Sequence, residues 1–258
     1  MPKRSQKSSA AIVWYAEQLR TTIFPTESPL ALNLLDLWKQ LRGDEPDKFS
    51  LEPSLQRIEK ELDGRNFIIT LSVDRIHFQM MPPTPAAPPE WSFKENTEFL
   101  KMLPIFEEVV VPWLGNDKVN NIIRLAVGGV LLSPVKSRNE GYKRLDTLLP
   151  AVHIDVENSR NFQYQINRPR DIKVDEEDSY CNRMSTWSVF KSQPVGLIVG
   201  LEGAMHKETL PTKHACRLAL DISTPQDNKV IFKSEMIIPL SHELHKLGIE
   251  IADHGDIA

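Results

Sequence analysis

The sequence predicts an α+β protein made of two tandem halves, each an antiparallel sheet with helices packed on one face. Its 258 residues are 41% apolar and 26% charged, an ordinary globular balance. Segments rich in β-branched and aromatic residues alternate with segments whose leucines recur at helical spacing. The order strand, helix, antiparallel strands, helix occurs twice along the chain, and this order favours helices on one face of a sheet.

The first half is predicted to cover residues 11–115 and to follow a mobile basic tail at residues 1–10. Residues 11–24 are rich in β-branched and aromatic side chains, which predicts a strand. Ser28-Pro29 is typical of a helix start, because a capping hydroxyl is followed by a proline in the first turn. Leucines at helical spacing then lead to Gly43, where we expect the helix to end.

The rest of the first half predicts strands, a connector and a second helix. Residues 54–62 fit either a short helix or a strand that ends at an Asp-Gly turn. Two apolar runs at 67–71 and 76–80 predict antiparallel strands. Five prolines within residues 81–89 predict a stiff connector, with recognition by a proline-binding domain as the alternative. Residues 92–114 predict a helix.

The second half is predicted to cover residues 116–258 and to repeat the same element order. Residues 119–132 form a long apolar run that predicts a strand, in which Gly128-Gly129 indicates a bulge or a close approach of another backbone. A helix is predicted at 139–149. Further strands are predicted at 162–167, 184–190, 195–201 and 215–222, and a final helix at 240–252.

Composition and charge limit the classes of protein to consider. The net charge of −4 lacks the basic excess that is usual in nucleic-acid-binding domains, although a local basic patch remains possible. Two cysteines cannot form a disulfide scaffold, so we interpret them as reduced thiols. The sequence has no secretion signal and no apolar run of about 18 residues. These features together predict a cytoplasmic protein that does not enter a membrane.

Motifs with a fixed chemistry are absent from the sequence. There is no glycine-rich phosphate loop, no serine-nucleophile motif and no calcium loop. His242 and His245 share a face of the last predicted helix, but without the glutamate of a zinc-protease motif. His206, His214 and Cys216 match no zinc-binding spacing. We therefore predict no cofactor and no metal site.

The candidate binding residues are Arg168, Arg170 and Arg183. They flank two predicted strands that we expect to pair, which would bring the arginines to one end of a sheet. Guanidinium groups bind phosphates and stack on bases, so this cluster predicts a site for an anion or for nucleic acid. The alternative is that the arginines neutralise the acidic segment 175–178.

Several short segments of the second half carry a family resemblance: the strand 124–132, the helix end at 148–150, the strand 218–222 and the pair Leu244-His245. In these segments the chain resembles a widespread family of uncharacterised bacterial proteins with duplicated α+β halves. That family usually has an Arg-aromatic-x-Asn motif where this chain has Ala-Val-Gly-Gly at 126–129. The resemblance implies a bacterial, cytosolic protein and no particular catalytic residue.

We favour the hypothesis of a non-enzymatic binding or accessory protein that acts on another protein. It would act through a sheet surface or through the groove between the two halves. The family resemblance implies a subunit of a bacterial multi-protein complex, for example in defence.

Two other functions remain as alternatives. A divergent metal-dependent nuclease requires that acidic side chains converge beside a lysine, for example those of Asp155, Asp171 and Asp221. A small-molecule sensor requires an apolar cavity between the halves. Such a cavity would be lined by Trp14, Trp38 or Trp113.

Overall fold

The computed structural model describes residues 12–82, 97–119, 121–174, 177–192, 195–199, 205–209, 212–227 and 230–257. The predicted tail at residues 1–10 lies outside these ranges. The predicted connector 81–89 also lies outside them, except for its first two residues. None of the helices in the described ranges combines the length and the apolar character needed to cross a bilayer.

Within the described ranges the chain forms twelve strands and four α-helices. The strands are β1 (Tyr15–Pro25), β2 (Lys48–Glu52), β3 (Leu55–Leu62), β4 (Arg65–Ser72), β5 (Ile76–Met81), β6 (Ile122–Val135), β7 (Gln163–Asn167), β8 (Arg170–Val174), β9 (Glu177–Ser192), β10 (Val195–Val199), β11 (Met205–Thr209) and β12 (Lys213–Ser223). The helices are α1 (Leu34–Arg42), α2 (Phe99–Leu114), α3 (Arg138–Leu148) and α4 (Ser234–His254).

Ten of these strands form one antiparallel sheet with the helices on one side, which confirms the α+β class. The strand order is β2-β3-β4-β5-β1-β6-β12-β9-β7, and β8 also pairs with β9. β10 and β11 form a separate two-stranded ladder. Sequence alternation explains why only one face is covered: along β6, Leu125, Val127 and Leu131 are buried, whereas Ala126 and Val130 are half-exposed.

The strand order is similar on both sides of the central β1–β6 pair. On its other side, β1 pairs with β5, which is the last strand before α2. On its other side, β6 pairs with β12, which is the last strand before α4. The segments β1–β5 and β6–β12 therefore both contribute to one continuous sheet, in which their first strands pair. The structure does not show two halves as separate units, so the predicted boundary after residue 115 stays a prediction.

Gly128 and Gly129 lie where neighbouring backbones approach β6 from both sides. A Cβ atom at Gly128 would collide with the carbonyl oxygen of Leu220 in β12, and one at Gly129 with that of Gln18 in β1. The predicted close approach is therefore confirmed. The pairing of β1 with β6 also shifts register between Ala16 and Gln18, so an irregularity lies beside the glycines.

The start of the first helix is the clearest difference from the sequence prediction. Ser28 makes no side-chain cap, and Pro29 opens only a short 3₁₀ turn. Helix α1 begins at Leu34, where the side chain of Asn33 accepts a hydrogen bond from the backbone N–H of Asp36 at 3.2 Å. The reason is tertiary: the buried Gln56 of β3 bonds the backbone between the turn and the helix, at the carbonyls of residues 30 and 32 and the N–H of residue 34.

Other element boundaries follow local signals more closely. α1 ends at Gly43, whose φ of 75° suits glycine, as predicted. Residues 54–62 adopt the strand alternative, and Asp63 and Gly64 both have positive φ in the tight turn that follows. β2, β8 and β11 were not predicted. In β2 all five residues are exposed, so no buried face marks it in the sequence.

Candidate functional site

The three predicted arginines lie together on the helix-covered face of the sheet, at its β7 edge. β7 and β8 pair with β9 in the same register, and between them the N–H of Arg168 donates to the carbonyl of Arg183 at 3.2 Å. Because side chains alternate along a strand, Arg168 and Arg170 point to the same face. Arg183 stands directly across from Arg168, so the pairing of the strands gathers all three guanidinium groups.

Two carboxylates at the C-terminal end of α4 bind two of these arginines. Arg168 makes a two-pronged pair with Asp256, at 2.5 Å from Nε to Oδ1 and 2.8 Å from Nη2 to Oδ2. Arg170 makes a second such pair with Glu250, at 2.5 and 3.1 Å. The hydroxyl of Tyr164 also donates to Asp256 at 2.9 Å. The alternative partner, the acidic segment 175–178, lies partly outside the described residues and forms none of these pairs.

The ion pairs change the acidity of both carboxyl groups. The guanidinium of Arg168 holds the pKa of Asp256 below its usual range, and that of Arg170 does the same for Glu250. The C-terminal end of the α4 helix dipole carries partial negative charge, which adds a favourable field for the arginines. Both carboxyl groups are therefore ionised at neutral pH.

Arg183 differs from the other two arginines because its bonding capacity is not filled. Its side chain is only 1% exposed, and its Nη2 lies 3.9 Å from Glu250, beyond hydrogen-bond distance. Nε and Nη2 are buried and have no hydrogen-bond partner in the described part of the chain. Burial lowers the pKa of Arg183, and the nearby Arg170 lowers it further. The cluster therefore joins three guanidinium groups to two carboxylates, with one positive charge in excess.

An open cleft of about 650 Å³ lies between β8 and α4, and Arg170 lines one end of it. Ile172 of β8 and Leu240 and Leu247 of α4 are buried apolar residues that form its floor. The order of residues along α4 sets this floor, because positions 240 and 247 lie two turns apart on one face of a helix.

The rim of the cleft carries an excess of acidic groups. Asp171, Glu235 and Glu243 line it and are exposed, and Lys173 is the exposed cation among its lining residues. Glu243 also lies 3.6 Å from Lys246, in an exposed pair of small energetic value. The fifth charged lining group, Arg170, is already paired with Glu250. The cleft thus combines an apolar floor with a rim of net negative charge.

The three aspartates of the nuclease hypothesis do not converge. Asp155 accepts hydrogen bonds from Asn158 within its own turn, and Asp221 pairs with Arg20 at 3.2 Å. Asp171 lies in the cleft beside α4. Among the residues that the structure describes, no three His, Cys, Asp or Glu side chains stand close enough to hold a metal ion.

Among the described residues, the histidines and cysteines weighed as metal ligands form no group that could hold a metal ion. His245 is buried and its Nδ1 lies 2.7 Å from Oε1 of Glu107 in α2, whereas His242 is exposed. Cys216 is a free, buried thiol, and burial raises its pKa to about 12, so it is protonated at neutral pH. Cys181 is free and buried as well. The side chain of His206 lies outside the described residues.

The tryptophans proposed to line a sensor cavity belong to the packed core. Trp14 donates its indole N–H to the carbonyl of Ala252 at 2.8 Å, and its ring meets that of Trp187 edge-on. The rings of Trp38 and Trp113 lie 6.2 Å apart, and both residues are fully buried. Their large side chains are in contact with other core residues.

Sequence reasoning missed Glu250, Asp256 and the cleft itself. Glu250 lies within the predicted final helix, but 80 residues separate it from Arg170, and 88 separate Asp256 from Arg168. A weak signal was present, since acidic side chains recur at the end of the chain where the last helix ends. Comparison of the sequence with protein-family models and with curated proteins gave no match. A functional proposal for this chain therefore depends on the geometry of the cleft and the arginine cluster.

Proposed function

We propose that this chain is a binding protein that holds a basic, amphipathic segment of a partner protein in the cleft between β8 and α4. The observation that carries this proposal is the combination of a buried apolar floor with an acidic rim in one open cleft. A segment with apolar residues on one side and lysines or arginines on the other complements both features.

The dimensions of the cleft suit a short segment rather than a large domain. Its volume lies in the range of typical ligand clefts, roughly 300–1,000 Å³. The wall formed by α4 between Glu235 and Leu247 is about 18 Å long at 1.5 Å per residue. About three turns of a partner helix match this length at about 5.4 Å per turn.

The walls of the cleft are fixed before a partner arrives. Two-pronged ion pairs join the end of α4 to Arg168, just before β8, and to Arg170, the first residue of β8. These pairs fix the distance between the strand and the helix. Fixed geometry lowers the entropic cost of binding. This supports a preformed recognition site rather than a surface that orders only on binding.

The test uses two labelled 14-residue synthetic peptides with leucines at helical spacing, one with lysines and one with glutamates at the polar positions. Fluorescence anisotropy at low salt should show that the lysine peptide binds at least about tenfold more tightly, because the rim is acidic. The double variant Glu235→Lys with Glu243→Lys should lose about tenfold of that affinity. Met236→Asp, at a half-exposed apolar residue that also lines the cleft, should weaken binding further.

The matched control is Asp253→Lys, which reverses an exposed charge on the same helix outside the cleft. It should bind the lysine peptide as the unmodified protein does. Equal affinity for both peptides would overturn the proposal, as would a loss of binding in Asp253→Lys as large as that in the double variant. Either result would assign the binding to overall charge rather than to the cleft.

A further inference from the structure

We propose that the arginine cluster is also a phosphate-binding site, in which Arg170 and Arg183 bind one phosphate group and Glu250 is the internal group that it displaces. This inference concerns the charges of the arginine cluster and not the acidic rim, although Arg170 belongs to both sites. It narrows the predicted anion site from three arginines to two. Arg168 is excluded because its partner Asp256, with a side chain only 2% exposed, is also bonded by the hydroxyl of Tyr164, whereas Glu250 is 28% exposed.

The first argument is the unfilled bonding capacity of Arg183. A buried donor without a partner is destabilising, and native proteins rarely leave such groups unpaired. Here two nitrogens of one guanidinium, Nε and Nη2, are in this state within the described residues. These two nitrogens form one edge of the planar fork, which is the geometry that binds two oxygens of a phosphate or carboxylate.

The second argument is charge. Three guanidinium groups face two carboxylates, so the cluster holds one more positive charge than its own side chains balance. If Glu250 swings out, the guanidinium groups of Arg170 and Arg183 are both free. Their two positive charges match a phosphate group, which carries about −1.5 to −2 at neutral pH. A carboxylate would supply only the single charge that Glu250 already provides.

The third argument is access. The side chains of Arg170 and Glu250 are 32% and 28% exposed, so the pair that must open lies at the surface and not in the core. Arg170 also lines the open cleft, so its guanidinium group borders solvent. The buried Arg183 has its Nη2 3.9 Å from Glu250, and it would contact the anion once Glu250 has moved.

The experiment is isothermal titration calorimetry of the full chain with inorganic phosphate, with acetate and chloride at matched ionic strength. We expect phosphate to bind and the other two anions not to bind measurably. Glu250→Gln removes the internal competitor and should tighten phosphate binding at least about tenfold. Arg170→Gln should weaken it at least about tenfold, and O-phosphoserine compared with inorganic phosphate distinguishes a phosphoryl group on a larger ligand from the free ion.

The control is Arg42→Gln, which removes an exposed arginine on α1, far from the cluster in the sheet. It should leave phosphate affinity unchanged. The proposal fails if phosphate and chloride give the same heat, or if Glu250→Gln and Arg170→Gln both bind phosphate as the unmodified chain does. It also fails if Arg42→Gln weakens binding as much as Arg170→Gln. Circular dichroism shows whether each variant is folded. If Glu250→Gln is unfolded, the proposal is judged by the phosphate affinity of Arg170→Gln compared with that of Arg42→Gln.

Discussion

The two ends of the sheet are stabilised by different chemistry. At the end formed by β3–β5, Trp38 of α1 and Trp113 of α2 pack against Phe67 and Phe78, with ring centres 5.9–6.4 Å apart. At the β7–β9 end, α4 is joined to the strands by three arginines and two carboxylates, alongside apolar contacts. We call these the aromatic end and the ionic end.

This difference shows where polar groups are kept at an energetic cost. Burying aromatic rings gains free energy from apolar area and from favourable ring geometry. Burying ions costs desolvation, and apolar residues of similar volume often stabilise a protein at least as well. For stability alone, the ion pairs of the ionic end are therefore less effective than apolar packing would be. It is also the end with the cleft, which supports a role in binding for these residues.

The largest effect is expected at the aromatic end. Trp38→Ala should lower the free energy of unfolding by about 3–5 kcal/mol, because it removes a fully buried ring and leaves a cavity. Urea denaturation measures this change. The control Leu51→Ala, at a side chain 67% exposed in β2, should stay within about 0.5 kcal/mol. A loss below about 1 kcal/mol for Trp38→Ala would show that the aromatic cluster does not hold this end.

A smaller loss in the free energy of unfolding is expected at the ionic end. Asp256→Asn should cost about 2–3 kcal/mol, less than for a fully buried pair because Arg168 is 30% exposed. The pKa of Asp256 is lowered in the folded state, so its contribution is complete above its usual pKa near 4 and is lost as pH falls further. The variant should therefore flatten the loss of stability below about pH 4.

Urea titrations between pH 2.5 and pH 7 measure this flattening. Asp253→Asn, an exposed neighbour on α4, is the control and should follow the curve of the unmodified chain. If Asp256→Asn kept the full acid sensitivity, the ion pair with Arg168 would not be the source of it.

The third comparison distinguishes the two ends by the pH at which each one loses stability. His77 of β5 lies 2.7 Å from the hydroxyl of Thr22, and burial, followed by the charges of Arg20 and Arg75, lowers its pKa to about 4. The unfolded chain takes up this proton near pH 6.5, so stability is complete above that pH and declines as pH falls toward 4. His77→Asn should lessen this decline, and His214 of β12, whose pKa is also lowered by burial, should account for part of what remains.

Urea titrations between pH 7 and pH 4 measure the decline, with the exposed His153→Asn as control. The pH range in which His77 lowers stability ends near pH 4, where the range for Asp256 begins. As the pH falls, the aromatic end should therefore lose stability before the ionic end does. An unchanged slope in His77→Asn, or an equal change in His153→Asn, would contradict this order.

The sequence predicted those features that depend on near neighbours along the chain. The long apolar run at 119–132 predicted β6, and Gly43 and the Asp63-Gly64 turn marked where elements end, because these positions need a left-handed backbone. The same reasoning failed at Ser28-Pro29. There the backbone bonds to Gln56, more than twenty residues away, and this contact decides where the helix begins.

The candidate site shows the same division. Strand pairing between β7, β8 and β9 is local enough for the sequence to place the three arginines near one another. Their partners Glu250 and Asp256 arrive with α4, whose position depends on the order of all ten strands. The sequence therefore determined the α+β class, most of the strands and the group of arginines. Only the tertiary structure decided which charges they meet and where a cleft stays open, because those contacts join residues about 80 positions apart.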